Sequence, residues 1–579
     1  MTEFCVWAPA ASRVRLRIIG EPDRDLTAGD GGWWTLDVPD AGPGTDYAYL
    51  LDDDEQALPD PRSAWQPAGV HGPSRVYDHA THRWGDQDWT GRQLPGSVLY
   101  ELHIGTFTPD GTFDSAIERL DHLVELGVDL VELLPVNAFN GDHNWGYDGV
   151  CWFAPHQMYG GPDGLKRFVD ACHRRGLGVV LDVVYNHFGP SGAYAPMFGP
   201  YLAETGGNTW GRTINLDGPH SGEVRRYIID SVLMWLRDYH VDGLRLDAVH
   251  ALSDHGAVHL LEELAVEVEA LSTHVGRPLS LIAESDLNDP KLITPREAGG
   301  HGLHAQWNDD AHHALHSLLT GERQGYYADF GSLQCLSDVL TGAFFHAGTW
   351  SSFRGRVHGR PVDRTRTAGH RFVAYLQNHD QIGNRATGDR ISATLSPHLL
   401  RVGATLLMTA PFTPMLFMGE EWGATTPWQF FTSHPEPELA AAVADGRRRE
   451  FAAHGWPEGD VPDPQDPGTF ARSRLDWAEL DKPEHRETYD FHRRLIALRR
   501  SRPDLTDPRL DRVEVRHGDQ FVVVRRGRTV VAANLAPRAQ RITLPGLVRS
   551  VLLASRGGVT VMRDVVELPP ESAVVVAAS

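Results

Sequence analysis

The sequence predicts an α/β protein in which a (β/α)8 (TIM) barrel lies between two β-sandwich units. Strand-like and helix-like runs alternate eight times over about 320 residues, a length that suits such a barrel with loop insertions. Short β-like runs separated by turn residues stand before and after this stretch. The chain has 579 residues, too many for one hydrophobic core. The predicted units are an N-terminal β-sandwich at 1–88, the barrel at 97–505 and a C-terminal antiparallel β-sandwich at 506–579.

The N-terminal unit is predicted from short runs that alternate apolar and polar residues. Clusters of Gly, Asp and Pro separate these runs, as is typical of a small sandwich. The predicted strands are 4–9, 14–18, 33–38 and 47–51. A linker with proline follows and ends near residue 96.

The barrel is predicted from eight apolar runs, most of them preceded by a helical pattern. The predicted strands are 98–104, 129–134, 179–184, 241–246, 279–283, 303–307, 371–376 and 414–418. Helices are predicted at 113–126, 164–175, 222–239 and 258–271, where apolar residues recur at helical spacing. The sixth strand and the segment 321–368 have the least regular patterns.

After the barrel the pattern returns to β-structure. A charge-rich segment at 435–454 and a second segment at 489–500 are predicted to be helical. The C-terminal strands are predicted at 513–516, 521–526, 529–533, 548–553 and 572–577, which favours an antiparallel sandwich.

Composition limits the class of partner. The formal net charge is -23, which disfavours nucleic acid and anionic membranes, since both attract Lys- and Arg-rich surfaces. The four cysteines form no C-x-x-C pair, so neither a zinc site nor a disulfide framework is expected, and free thiols suit a reducing compartment. The N-terminal sequence shows no signal peptide or membrane span, and a cytoplasmic protein without cofactors is expected.

One strand end holds the most informative pair of residues. Arg245 and Asp247 are two positions apart, so in a strand they point to the same face. An arginine beside an aspartate favours the ionised carboxylate, which could serve as a nucleophile. An ordinary structural ion pair is the alternative, and this stretch alone would favour it.

Other predicted strands end in polar residues as well, and three carboxylates stand out. Asp247 and Glu284 follow consecutive strands, whose ends are neighbours in a barrel. The apolar run before Glu284 is expected to raise its pKa and keep a proton on it, while Asp380 follows a more distant strand. A carboxylate nucleophile beside a carboxylic acid is the arrangement that retaining glycoside hydrolysis requires.

Four motifs in order resemble those of the α-amylase family of glycoside hydrolases. They are D-x-x-x-N-H at 182–187, G-x-R-x-D-x-x-x-H at 243–250, the lone Glu284, and N-H-D at 378–380. The resemblance implies Asp247 as nucleophile, Glu284 as general acid/base and Asp380 as stabiliser of the transition state. It also implies sugar contacts near the scissile bond from Tyr147, Asp182, His187, Arg245, His250, Asp286 and His379. Asn186 could ligate calcium, but the loop at 188–216 is too short for a full oxygen ligand set, so a structural hydrogen bond is favoured and no metal is expected.

The N-terminal β-domain before the barrel resembles carbohydrate-binding modules, and this arrangement is found in branching and debranching enzymes and in trehalohydrolases. Stretches at 284–290, 306–313, 417–424, 427–431 and 446–451 resemble the trehalohydrolases most. This implies cleavage of the α-1,4 bond next to the terminal trehalose of maltooligosyl trehalose, with trehalose as product. Candidates for the trehalose side of the pocket are Trp307, Asp309, Asp310, Glu420, Trp428 and Phe430. Packing and helix capping explain these residues equally well.

Two alternatives remain open from the sequence. A glucan branching enzyme of the same family would transfer the glycosyl group to a sugar hydroxyl, and a non-catalytic protein would only bind glucan. The three carboxylates argue against the second. The expected partners are an α-glucan oligosaccharide substrate and the trehalose product, with no nucleic acid and no membrane, and the expected state is a monomer or weak homodimer.

Overall fold

The computed structural model describes residues 2–207, 211–453 and 461–579. Its centre is a closed barrel of eight parallel strands in which each strand pairs with the next along the chain and the last pairs with the first. The barrel strands are Leu99–Leu102, Leu130–Leu133, Gly178–Val183, Gly243–Leu246, Ser280–Ala283, Ala305–Trp307, Phe372–Tyr375 and Thr413–Phe417. All eight predicted barrel strands are therefore present, with ends that differ by a few residues.

The barrel strands are buried on both faces, which explains their nearly continuous apolar sequences. One face packs on the outer helices. The other fills the barrel with a compact cluster of side chains, which is Leu94, Leu99, Leu130, Val180, Ile282, Ala305, Trp307, Val373, Tyr375 and Met415. The barrel is thus a packed core whose polar groups collect at its end.

Helices surround the barrel and extend into its loops. The α-helices are Ile104–Phe107, Phe113–Ile117, Leu120–Leu126, Gly161–Arg174, Ala195–Phe198, Ser221–Asp238, Leu260–Val275, Asp309–Thr320, Leu333–Gly342, His379–Gly383, Pro397–Thr409, Pro437–Ala453, Pro467–Arg472, Pro483–Ser501 and Pro503–Thr506. None of the helices in the described ranges is long and apolar enough to cross a membrane.

Three expectations for the segments outside the barrel strands change in detail. The helix predicted at 113–126 is two helices, because Arg119 at φ −103° and ψ −2° leaves helical geometry. The segment 321–368, which had no regular pattern, contains the helix Leu333–Gly342 and a hairpin of Thr349–Ser351 with Arg356–His358. The charge-rich helix is Pro437–Ala453, and residue 454 of its predicted range lies outside the described residues.

The flanking units are built from antiparallel sheets, as predicted. The first has a three-stranded and a four-stranded sheet, from strands Thr2–Trp7, Val14–Ile18, Arg24–Asp25, Thr27–Ala28, Trp33–Val38, Asp46–Leu51 and Ser74–Arg75. The last has a five-stranded and a three-stranded sheet, from strands Val513–His517, Phe521–Arg526, Thr529–Asn534, Gln540–Thr543, Val548–Ala554, Thr560–Met562, Val565–Leu568 and Ser572–Ala578.

Candidate active site

A pocket of about 620 Å³ lies at the carboxyl end of the barrel strands. Asp247, Glu284 and Asp380 all face it, so the structure brings the three predicted carboxylates together. The lining residues are Trp145, Tyr147, Asp148, His187, Asp247, Ala248, His250, Glu284, Asp286, Asp309, His313, Tyr326, Phe353, Arg354, His379, Asp380, Gln381, Asn384, Phe430 and Arg447. Parallel strands place their loop ends at one mouth, which explains how distant sequence positions meet here.

Asp247 is held by hydrogen bonds on both carboxylate oxygens. Arg245 Nη1 donates to Asp247 Oδ1 at 2.8 Å, and Asn186 Nδ2 donates to Asp247 Oδ2 at 2.8 Å. Arg245 Nη1 also lies 2.9 and 2.8 Å from the two oxygens of Asp182. Charge-assisted bonds of this length fix the carboxylate in one orientation. Asn186 therefore acts as a hydrogen-bond donor to Asp247 in this arrangement.

Glu284 comes from the next strand and contacts the residue after Asp247. The backbone N–H of Ala248 donates to Glu284 Oε2 at 2.6 Å, and Arg245 Nη2 lies 3.7 Å from the same oxygen. Ala248 has φ 40° and ψ 51°, a left-handed conformation that turns its N–H toward the acid.

The pKa of Glu284 is raised to about 8. Burial is the main cause, and the negative charges of Asp247, Asp380 and Asp309 add to it while Arg245 opposes it. Glu284 therefore carries a proton at neutral pH. Since Oε2 accepts the backbone N–H, the proton belongs on Oε1, from which it can be donated.

Beneath the pocket, a chain of hydrogen bonds connects the strands. His379 Nδ1 lies 2.5 Å from Glu101 Oε1, and the hydroxyl of Tyr147 lies 2.7 Å from His379 Nε2. The same hydroxyl donates to Asp182 Oδ2 at 2.6 Å. Burial opposes the charged form of His379, but Asp380 and Glu101 outweigh it and raise the pKa of His379 to about 9. His379 is therefore an imidazolium that donates to Tyr147 and Glu101.

Seven of the predicted sugar-contacting residues line the pocket, namely Tyr147, His187, His250, Asp286, Asp309, His379 and Phe430. Asp286 Oδ2 pairs with Arg354 Nη1 at 2.8 Å, and Asp286 Oδ1 lies 3.9 Å from His250 Nε2. Asp309 accepts from the hydroxyl of Tyr375 at 2.5 Å, and burial raises the pKa of Asp309 to about 6.

Two of the predicted sugar contacts, Asp182 and Arg245, lie one layer below the pocket surface. Both side chains are buried, and they are bonded to each other and to Asp247 or Tyr147. Burial raises the pKa of Asp182 to about 6, against the charge of Arg245. Their geometry supports the residues above them and does not reach into the pocket.

Four trehalose-side candidates, Trp307, Asp310, Glu420 and Trp428, have buried side chains and are not among the residues that line this pocket. The ring of Trp307 lies 4.3 Å from the guanidinium carbon of Arg245, and Trp428 Nε1 donates to the carbonyl of His379 at 3.0 Å. The remaining two carboxyls accept backbone or amide N–H groups, Glu420 from Phe417 and Asp310 from Asn288, Phe345 and His346. Each of these four side chains therefore has a contact within the protein.

The sequence interpretation missed several residues of the pocket wall. Arg447 stands inside the stretch 446–451, and Trp145 and Asp148 stand within two residues of the predicted sugar contact Tyr147, so their positions were a usable signal. Tyr326, Phe353 and Arg354 come from the segment 321–368, where no periodic pattern marked them.

Comparison with known proteins agrees with this fold. Residues 73–196 match the family model for the α-amylase catalytic domain, and residues 508–575 match a domain of unknown function, DUF3459. The crystal structure of a protein from Salmonella typhimurium described as an alpha amylase has a TM-score of 0.90 and 38% identity, covering 100% of this chain and 97% of that one.

The similarity to curated proteins is more specific. The chain is 56% identical to the malto-oligosyltrehalose trehalohydrolase of Rhizobium sp. (strain M-11), over 99% of this chain and 97% of the relative. It is 61% identical to the malto-oligosyltrehalose trehalohydrolase of Arthrobacter ramosus, over 86% of this chain and 87% of the relative. Similarity at this level over almost the whole length means that the chain belongs to the malto-oligosyltrehalose trehalohydrolase family.

Proposed function

We propose that this protein is a retaining glycoside hydrolase that cleaves the α-1,4-glucosidic bond next to the terminal trehalose of maltooligosyl trehalose and releases trehalose. The observation that carries the proposal is the contact of Asp247 and Glu284, which both line the pocket, with one guanidinium, that of Arg245 beneath it. A nucleophile and a protonated acid held side by side suit the double displacement of retaining enzymes. The names of the relatives support the substrate.

In the first step, Glu284 donates the proton on Oε1 to the glycosidic oxygen. An oxygen of Asp247 attacks the anomeric carbon, the bond to the glycosidic oxygen breaks, and trehalose leaves. Asp380 faces the same pocket, where its charge stabilises the positive charge that develops on the sugar ring.

In the second step, the carboxylate of Glu284 takes a proton from water. The water oxygen attacks the anomeric carbon and the bond to Asp247 breaks, which restores both carboxyl groups and gives net retention.

Substrate choice tests the proposal. Purified protein is incubated with maltooligosyl trehalose, with a maltooligosaccharide of equal length and with amylose, and products are separated by chromatography. We expect trehalose from the first substrate, with the new reducing end of the other product in the α-configuration by NMR. A fall in iodine staining of amylose without trehalose release would contradict the proposal.

The nucleophile is tested by Asp247→Ala. We expect kcat to fall by roughly 10⁴-fold or more, as when a nucleophile is removed from other enzymes. Unchanged activity in this variant would contradict the mechanism but leave the substrate assignment standing.

We also propose that the protein works in the cytoplasm, as a monomer or weak homodimer. The four cysteines are free, and three are buried, which suits a reducing compartment. Sedimentation at several protein concentrations measures the association state, and a stable higher oligomer would contradict this part of the proposal.

A further inference from the structure

The helix Pro437–Ala453, called here the mouth helix, brings Arg447 to the pocket. It follows the last barrel strand, Thr413–Phe417, along the chain. Just before its start, Glu436 Oε1 accepts from Asn140 Nδ2 at 2.9 Å and from Ser191 Oγ at 2.5 Å, so loops of other strands hold this end.

Further along the mouth helix, Arg447 contacts the loop that carries Asp380. Its guanidinium carbon lies 4.6 Å from the ring centre of Phe430. Arg447 Nη2 donates to the carbonyl of Gly383 at 2.7 Å and to Asn384 Oδ1 at 3.0 Å. These contacts fix the guanidinium against the end of the short helix that begins at His379.

Asn384 links Arg447 to the third carboxylate. Its Nδ2 lies 3.4 Å from Asp380 Oδ1, and its backbone N–H donates to the carbonyl of Asp380 at 2.8 Å. An amide oxygen only accepts and an amide nitrogen only donates. Because Arg447 donates to Asn384 Oδ1, the NH2 group of Asn384 must face Asp380. In a flipped amide the NH2 group would face the donor Arg447, and the amide oxygen would face the acceptor Asp380.

Asp380 depends on such support more than Asp247 does. Its side chain is 39% exposed, and His379 Nε2 is 3.5 Å from Oδ2. Asp247, in contrast, has two donors at 2.8 Å. If a carboxylate must face the sugar in one orientation, the reaction is slower when that carboxylate is free to rotate.

We propose that Arg447 is a positioning residue for the reaction, acting through the side-chain amide of Asn384 to orient the carboxylate of Asp380. This deepens the proposed function and rests on it. Arg447 stands more than 60 residues after Asp380 in the sequence, on a separate helix. A segment that follows the eighth barrel strand therefore supports a carboxylate that follows the seventh.

The test compares Arg447→Gln, Asn384→Ala, the double variant and Arg447→Lys with the wild type. We expect Arg447→Gln to lower kcat about 10-fold with KM changed by less than about 2-fold, since only the catalytic geometry is disturbed. Asn384→Ala should lose a similar factor, and the double variant should lose no more than Asn384→Ala alone, because both act in one chain. Arg447→Lys keeps one donor and should recover part of the loss.

Arg448 provides the matched control. It is the next residue of the mouth helix, pairs with Asp445 at 2.8 Å and is 40% exposed. Arg448→Gln should keep the wild-type kcat, KM and melting temperature.

Three results would overturn the inference. A rise in KM at constant kcat in Arg447→Gln would make it a direct sugar contact, and multiplicative losses in the double variant would make the two residues independent. An equal loss of kcat in Arg448→Gln would mean that the Arg447 variants act only by destabilising the mouth helix. If the wild type released no trehalose, the proposed function would fail, and the variants would then be compared on whichever α-glucan the wild type cleaves.

Discussion

In the proposed mechanism, Glu284 is the residue whose protonation limits activity at high pH. Its pKa of about 8 means that the acid is lost as pH rises through 8, so kcat/KM should fall there. Asp309 contributes to the raised pKa through its negative charge, and removing that charge favours the ionised form of Glu284. Asp309→Asn should therefore move the alkaline limb of the kcat/KM profile to lower pH by a fraction of a unit. The matched control is Asp148→Asn, which changes another carboxyl group of the pocket wall. If the alkaline limb of the kcat/KM profile stayed at its wild-type pH in Asp309→Asn, the charge effect would be refuted.

Glu132 shows how a buried acid affects stability. It lies on the second barrel strand, and neither carboxyl oxygen has a hydrogen-bond partner among the described residues. Burial, then the charges of Glu101 and Asp182, raise the pKa of Glu132 well above its usual value, against the charge of Arg245. The folded state thus binds a proton that the unfolded state releases above about pH 4.5, and stability falls by about 1.4 kcal/mol per pH unit from there until the folded pKa is reached.

Glu132→Gln removes this penalty without changing the shape of the side chain. The variant should melt higher than the wild type at pH 8 and at nearly the same temperature at pH 4, as measured by differential scanning calorimetry. The exposed Glu118→Gln should show no such dependence. If Glu132→Gln melted at the same temperature as the wild type at both pH values, Glu132 would not be a neutral buried acid.

At the scale of elements, two buried arginines close the C-terminal end of the helix Pro397–Thr409. Arg499 donates to the carbonyls of Met408, Ala410 and Phe412, and Arg526, from the C-terminal sheet, donates to that of Thr409. Burial lowers the pKa of Arg499 to about 9 and that of Arg526 to about 10. The last carbonyls of a helix have no partner within it, and they carry partial negative charge that attracts cations.

Replacing Arg499 tests this closure. Arg499→Met leaves three buried carbonyls without their donor and should cost roughly 3 kcal/mol, measured as the shift of urea unfolding. Arg500→Met removes a neighbour that is 43% exposed and pairs with Asp129, so it should cost less than about 1 kcal/mol. Equal losses would mean that the helix end does not depend on the cap.

At the scale of the whole molecule, the linker between the first sheets and the barrel crosses the amino-terminal end of the strands. Trp89 Nε1 donates to Asp242 Oδ1 at 2.8 Å, and buried His173 lies between Asp86 at 2.8 Å and Asp242 at 3.0 Å. Burial opposes the charged form of His173, but the two carboxylates outweigh it and raise its pKa above the usual range. The stability that this imidazolium supplies is fully present below the unfolded pKa of about 6.5 and is lost as pH rises through the folded value.

His173→Gln should accordingly lower the free energy of unfolding by about 3 kcal/mol at pH 6, where it breaks a buried ion pair, and by clearly less at pH 9. His240→Gln breaks a second contact to Asp86 but at a side chain that is 31% exposed, so its cost should be smaller. Thermal unfolding at the two pH values measures both. A cost for His173→Gln that is equal at pH 6 and pH 9 would refute the charged pair.

The sequence allowed the barrel and its three carboxylates to be predicted because both follow from local patterns. Strands buried on two faces are continuous apolar runs, and the residue after each run lies at the mouth, as Asp247 and Glu284 do. Whether an aromatic ring faces sugar or core depends on packing between distant segments. Phe430 and Trp428 are two residues apart, yet the first lines the pocket and the second is fully buried. Arg354 meets Asp286 only because a hairpin without any periodic pattern folds over the mouth.

The contact between the Ala248 N–H and Glu284 has a consequence for how this site tolerates mutation. A backbone N–H is supplied by every residue except proline, so other substitutions at position 248 cannot delete the bond that joins Glu284 to the residue after Asp247. The left-handed backbone there restricts the choice to residues that accept a positive φ, and excludes β-branched ones. Position 248 can therefore change within that narrow set while the hydrogen bond from its N–H to Glu284 is kept.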